Sequence, residues 1–255
     1  MTSRNTAGAA LLDVRGLTKA FDGNLVVDRI GFSVAAGEVV GLIGPNGAGK
    51  STCFNMLNGQ LRPDRGEIRL DGARIDGLGP ERIWRAGVGR GFQVAQVFAS
   101  LPVLDNVRAA LLVRHRLVWR FLRPARSVLA AEAEALLERT GLSALAGRIC
   151  GTLAYGDLKR LEIALAIANR PRLLLLDEPM AGMTGADRRP VADLIRSLAQ
   201  ETGCGVLLTE HDTDTVFRIA DRVLVMDKGA LIAAGPPAAV RADPGVRAAY
   251  LGEAG

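Results

Sequence analysis

The stretch "EVVGLIGPNGAGKST", residues 38–52, limits the fold more than any other in the chain. An apolar, β-rich run breaks at Gly44, a loop of small residues follows, and Lys50-Ser51-Thr52 opens a helical pattern. The spacing Gly44-x-x-x-x-Gly49-Lys50-Ser51 suits a loop whose successive N–H groups curl round a polyphosphate. Pro45, Asn46, Gly47 and Ala48 fill the curl. Lys50 brings a point charge to the β- and γ-phosphates, Ser51 offers an oxygen to Mg2+, and the helix begun by Ser51 and Thr52 turns its positive end to the anion. A strand that feeds a helix through such a loop asks for an α/β fold.

The rest of the chain keeps that rhythm. Short strand-like runs, "LLDVRGL", "LVVDRIGFSV" and "GEIRLDG", flank the loop, and "RLLLLDEP", "GVLLTEH", "RVLVMDKG" and "ALIAAG" follow later, with a helical pattern in "ADRRPVADLIRSLAQETG". Strands alternating with helices imply a mainly parallel sheet with its functional loops at the carboxyl ends of the strands. Between Gln93 and Ala168 glycine thins out, and Leu, Ala and Arg recur at helical spacing in "NVRAALLVRHRLVWRFL" and "SVLAAEAEALLERTGL". That change of texture marks a helical lobe, about residues 94–169, inserted in the core. Residues 1–10 read as a loose lead-in and 11–255 as a single domain.

Composition narrows the function. A surplus of +5, from 32 basic and 27 acidic residues, is small, and few aromatics interleave with the Arg, which argues against a nucleic-acid partner. Cys53, Cys150 and Cys204 stand far apart with no zinc-ligand spacing and read as reduced, buried thiols. The polar N-terminus lacks the apolar core of a signal peptide, and no apolar run reaches the ~18 residues of a membrane span.

A phosphate loop serves kinases, GTPases and motors alike, so the acids decide more. Asp177 ends the run "LLLLDEP", where a carboxylate can reach a Mg2+-bound water, and Glu178 follows at once. Strand alternation would turn Glu178 the other way, toward a nucleotide in the loop. Burying two adjacent acids without a cation is costly, which favours a site over a helix cap.

Together the phosphate loop, "LAYG" shortly before "LLLLDEP", and His211 at the end of the next strand resemble an ABC-transporter ATP-binding subunit over residues 11–253. The resemblance implies a P-loop NTPase core with an antiparallel β subdomain and the inserted helical lobe, with ATP and Mg2+ as ligands. Phe21 falls where such subunits stack an aromatic on adenine, a contact worth ~1–3 kcal/mol, unless it is a core residue. Gln93 matches the glutamine that reaches Mg2+ and water at the hinge of the lobe, with Gln96 a competing candidate. His211 resembles the histidine that meets the γ-phosphate and orients Glu178, the general base, while His115 reads as a solvated residue. Ala154, Tyr155 and Gly156 resemble the signature segment that completes the site of a second subunit. In this segment Ala154 removes a hydroxyl, so Gly156, the N–H groups and the helix start are left to bind.

The tail "DPGVRAAYLGE", "MAGM" and "LAYG" are most similar to the LivG-type ATPases of branched-chain amino-acid importers. Urea or amide importers and lipopolysaccharide-export ATPases share much of that pattern. The resemblance implies permease subunits, a second ATP-binding subunit, indirectly a periplasmic or extracellular solute-binding protein, and a place on the cytoplasmic face of the membrane. A non-transport ABC protein, with tandem halves or a long coiled coil, fits less well. Gly91 and Thr184 depart from the family pattern. Arg114, Arg116, Arg120 and Arg123 form either a charged face or part of a permease dock near residues 94–104. Asp157, in the first turn after "LAYG", is expected to cap that helix or pair with Arg160.

Overall fold

The computed structural model describes residues 10–91, 97–115, 117 and 129–248. Two sheets share the core. Strands β6 (Val88–Gly91), β7 (Leu173–Asp177), β8 (Gly205–Thr209), β3 (Val39–Ile43), β9 (Arg222–Asp227) and β10 (Ala230–Gly235) form a six-stranded sheet in the order β10-β9-β3-β8-β7-β6. Every pairing in it is parallel except β10 on β9. A second, antiparallel sheet runs β2-β1-β4-β5, built from β1 (Leu12–Phe21), β2 (Asn24–Val34), β4 (Arg65–Leu70) and β5 (Ala73–Arg74).

The apolar runs of β3, β7 and β8 are unbroken because these strands are covered on both faces. Alternate residues divide between two cores. Val40, Leu42, Leu173, Leu175 and Leu207 face the antiparallel sheet. Val39, Ile43, Leu174, Leu176, Val206 and Leu208 face the helices α6 (Gly185–Thr202) and α7 (Thr213–Ile219). At ~1.5–3 kcal/mol for each such side chain buried, this two-sided packing fixes where the strands end.

A third core joins α3 (Val103–Arg114), α4 (Ala130–Arg139) and α5 (Tyr155–Ile167). The spacing of Leu158, Leu161, Leu165 and Ala168 gives the helix after "LAYG" one apolar face, and Leu161, Leu165 and Ala168 do join the helical core, but α5 is packed on a second side as well. Leu161 and Ala164 enter the helical core while Ile163, Ala166 and Ile167 pack against the parallel sheet, and Leu158 stays half-buried. The long helical pattern through "NVRAALLVRHRLVWRFL" is observed as helix to Arg114, and Arg116, Arg120 and Arg123 lie outside the described residues. All three cysteines are free and buried, and burial pushes the thiols of Cys53 and Cys204 up to about 12.

His115 is more than a solvated residue. Its Nε2 lies 2.7 Å from Glu132 Oε2, and Arg114 and Arg170 converge on the same carboxylate. Asp157 pairs with Arg160 and makes no cap bond.

Candidate functional site

The order β3-β8-β7 brings three strand ends side by side: the loop after Ile43, the pair Asp177-Glu178, and the run Thr209 to His211. The loop between β3 and α1 (Lys50–Leu57) is shaped by close backbone contacts. A Cβ on Gly44 would meet the Met226 carbonyl oxygen at 2.1 Å, and one on Gly49, whose φ is 98°, would meet that of Val26 at 2.6 Å. Only glycine fits at either place. The Gly229 N–H donates to the Ala48 carbonyl at 3.1 Å and anchors the loop to the turn between β9 and β10. Asn46, Gly47 and Ser51 are exposed, Pro45 and Thr52 half-buried, and Ala48 and Lys50 buried.

Lys50 Nζ donates to the carbonyls of Gly44 and Pro45 at 2.6 and 3.0 Å. Burial pulls its pKa below the ordinary lysine value, and the carboxylates of Glu178 and Asp177 oppose that shift.

Asp177 is buried at the end of β7, and the Thr209 hydroxyl donates to its Oδ1 at 2.6 Å. Mg2+ takes one or two carboxylates together with phosphate oxygens and water, and the Asp177 carboxylate at the end of β7 and the exposed Ser51 at the start of α1 are donors of that kind.

Glu178 is not turned by strand alternation, as the sequence suggested, because β7 has already ended. Its φ is 50°, a left-handed conformation that costs a non-glycine residue about 1 kcal/mol or more. The Glu178 N–H donates to both the carbonyl and the hydroxyl of Thr209, each at 3.1 Å, which holds that turn. The carboxylate then reaches His211, with Nε2 2.8 Å from Oε1.

Three residues here went unnoticed in the sequence. Thr209 touches both acids. Glu210, only 3% exposed, accepts the Met180 N–H at 2.7 Å. Asp212 pairs with Arg188 and caps α7 through Thr215. A glutamate just after the run "GVLLT" was the available signal for Glu210, by the same burial argument that singled out Asp177.

Phe21 ends β1 with 44% of its surface exposed, so it is not a core residue, and Lys19 Nζ sits 5.5 Å from its ring centre. Gln93 and Gln96 lie outside the described residues. Ala154, Tyr155 and Gly156 start α5 and line a cavity of about 340 Å3 with Gly182, Met183 and Thr184. None of residues 44–52 lines it, so the structure does not bring this segment to Lys50 within one chain.

A family model described as "ABC transporter" matches residues 27–181, from the second strand through both acids. The chain belongs to the ABC transporter family. It is an ATP-binding cassette, a nucleotide-binding ATPase whose hydrolysis is coupled to transport. A second model, "Branched-chain amino acid ATP-binding cassette transporter", matches residues 230–255. The cassette is 42% identical to the high-affinity branched-chain amino acid transport ATP-binding protein BraF of Pseudomonas aeruginosa, covering 96% of this chain and 98% of that one. It is 39% identical to the corresponding protein LivG of Escherichia coli over the same shares. Among solved structures, the ADP conformation of MJ1267, an ATP-binding cassette of an ABC transporter, superposes with a TM-score of 0.84 at 29% identity, covering 96% of this chain and 100% of that one.

Proposed function

We propose that this cassette powers a branched-chain amino-acid importer by hydrolysing MgATP at the loop Gly44–Thr52. The observation that carries the reading is the Glu178–His211 pair, 2.8 Å apart at the strand ends that flank the loop, with Lys50 under the influence of both acids. Likeness to BraF and LivG along nearly the whole chain supports the transported class.

The loop N–H groups and Lys50 hold the β- and γ-phosphates, and the exposed Phe21 ring offers a stacking face for adenine. Ser51, Asp177 and Gln93 would hold Mg2+, which would neutralise the charge that develops on the phosphate. Glu178 takes the proton of the attacking water, and His211 keeps its carboxylate aimed and meets the γ-phosphate. Ala154, Tyr155 and Gly156 serve the loop of a second ATP-binding subunit, since within one chain they face a different cavity.

No helix among the described residues is long and apolar enough to cross a membrane. Permease subunits supply the path, and a solute-binding protein outside the membrane supplies the substrate, with the cassette on the cytoplasmic face. A groove of about 600 Å3 between the core and the helical lobe, lined by Ile83, Trp84, Phe98, Ala110, Val113 and Leu165, suits an amphipathic permease helix. Phe98, 60% exposed, would be covered by it.

Glu178→Gln should keep ATP affinity and slow hydrolysis by about 10²–10⁴-fold, the usual worth of a general base. Hydrolysis at the wild-type rate would overturn the assignment. Cells lacking the cassette should lose uptake of labelled leucine, isoleucine and valine, and intact uptake with loss of urea import would move it to a different substrate class.

A further inference from the structure

Glu210, His211 and Asp212, three consecutive residues beyond β8, each grip a different point on the chain that follows Asp177. Glu210 Oε1 accepts the Met180 N–H at 2.7 Å, His211 Nε2 meets Glu178 Oε1 at 2.8 Å, and Asp212 Oδ2 takes Arg188 Nη1 at 2.5 Å. The gripped segment is itself tightly turned. Ala181 N–H donates to the Glu178 carbonyl at 3.1 Å and Met183 N–H to that of Met180 at 3.3 Å.

The left-handed Glu178 persists only where its surroundings over-determine it. Thr209 fixes its N–H from one side, and the Met180 bond fixes the chain two residues on. Glu210 is an expensive choice for that second task. Its carboxyl is almost fully buried, and burial with the nearby Glu178 charge pushes its pKa up. Asp212 is also more than a helix cap, because Oδ2 serves both the Thr215 hydroxyl and Arg188.

We propose that Glu210 and Asp212 are positioning residues for ATP hydrolysis: by clamping the chain at Met180 and Arg188 they hold Glu178 in its turn and within hydrogen-bond reach of His211. The proposal rests on the reading that Glu178 and His211 act on the attacking water. Glu210 bonds to the Met180 backbone and Asp212 to Arg188 and Thr215, so both work through the Glu178–His211 pair.

The test measures kcat, KM and fluorescent-nucleotide affinity on the full chain at a concentration that sustains hydrolysis. Glu210→Ala, which strands the Met180 N–H, should lower kcat by about tenfold, the worth of one buried hydrogen bond, with KM and nucleotide affinity unchanged. Glu210→Gln keeps an acceptor for Met180 and should restore most of the rate. Arg188→Gln frees Asp212 from the clamp but leaves its cap on Thr215, and should slow kcat in the same selective way. In a Glu178→Gln background Glu210→Ala should add under about twofold, because the group it positions is already gone.

Wild-type turnover in Glu210→Ala and Arg188→Gln, while Glu178→Gln is slow, would overturn the clamp and spare the function. A Glu210→Gln variant no better than Glu210→Ala, or a full additional loss in the Glu178→Gln background, would also overturn it. Should Glu210→Ala fail to fold, Arg188→Gln with Glu210→Gln decides the matter. Wild-type turnover in Glu178→Gln would instead overturn the function itself.

Discussion

Thr209→Val tests the one hydroxyl that joins both acids of the site. Thr209 is 1% exposed, donates to Asp177 at 2.6 Å and receives the Glu178 N–H at 3.1 Å. Valine keeps the shape and removes the hydroxyl. The bond to a charged acceptor is worth about 1.5–3 kcal/mol, whereas the Glu178 N–H retains the Thr209 carbonyl and loses little. The added buried methyl returns about 0.8 kcal/mol, so the net loss should be about 1–2 kcal/mol. Urea unfolding should show a lower midpoint at unchanged m-value. If Asp177 holds Mg2+ as proposed, its freed carboxylate should bind the cation less well, so the gain in ATP affinity on adding Mg2+ should shrink by about tenfold. Affinity measured in chelator should stay as in the wild type, and Thr209→Ser, which keeps the hydroxyl, should keep the wild-type response to Mg2+ while losing about 0.8 kcal/mol of stability with its buried methyl. Wild-type stability in Thr209→Val, or an equal loss of affinity with and without Mg2+, would refute this reasoning.

A Cβ on Gly91 would meet Leu176 Cδ2 at 2.8 Å. Gly91→Thr should therefore cost about 1–3 kcal/mol, and adding Leu176→Val should recover part of it. Urea unfolding of the four-member cycle checks this, and strict additivity would contradict it. Lys159 and Glu162 form a buried ion pair on α5 at 3.1 Å. Glu162→Leu alone should cost about 3–5 kcal/mol by stranding the ammonium, whereas Lys159→Met with Glu162→Leu should lie near wild-type stability. Burial raises the Glu162 pKa, and Lys159 only partly offsets this. Glu162 therefore contributes most below its unfolded value of about 4.3, and that contribution is lost as pH rises through the higher folded value. Thermal unfolding between pH 5 and 8 should show a shallower decline in the double variant than in the wild type.

What could be read from the sequence follows the range of the forces involved. The apolar runs of β3, β7 and β8 announce strands covered on both faces, and the glycines between β3 and α1 announce a loop, because each signal is complete within about ten residues. The placement of Asp177 and His211 after apolar runs, and of Lys50 at the start of α1, was legible for the same reason. The direction of Glu178 was not, since it depends on a left-handed turn held by Thr209, thirty-one positions away. The two faces of α5 were missed because its pattern had to serve the sheet and the helical core at once.

Thr209, Glu210 and Asp212 stayed hidden because each satisfies a local rule as well as a distant one. Thr209 suits a strand end, and Asp212 is indeed a helix cap. Only Glu210 breaks a local rule, a carboxyl buried just past the end of an apolar strand, and its partner lies thirty positions back along the chain. A residue that contradicts its surroundings survives when a contact elsewhere requires it. The buried acid beside the histidine is therefore the point at which the ends of β7 and β8 are tied together, and with them the geometry of the site.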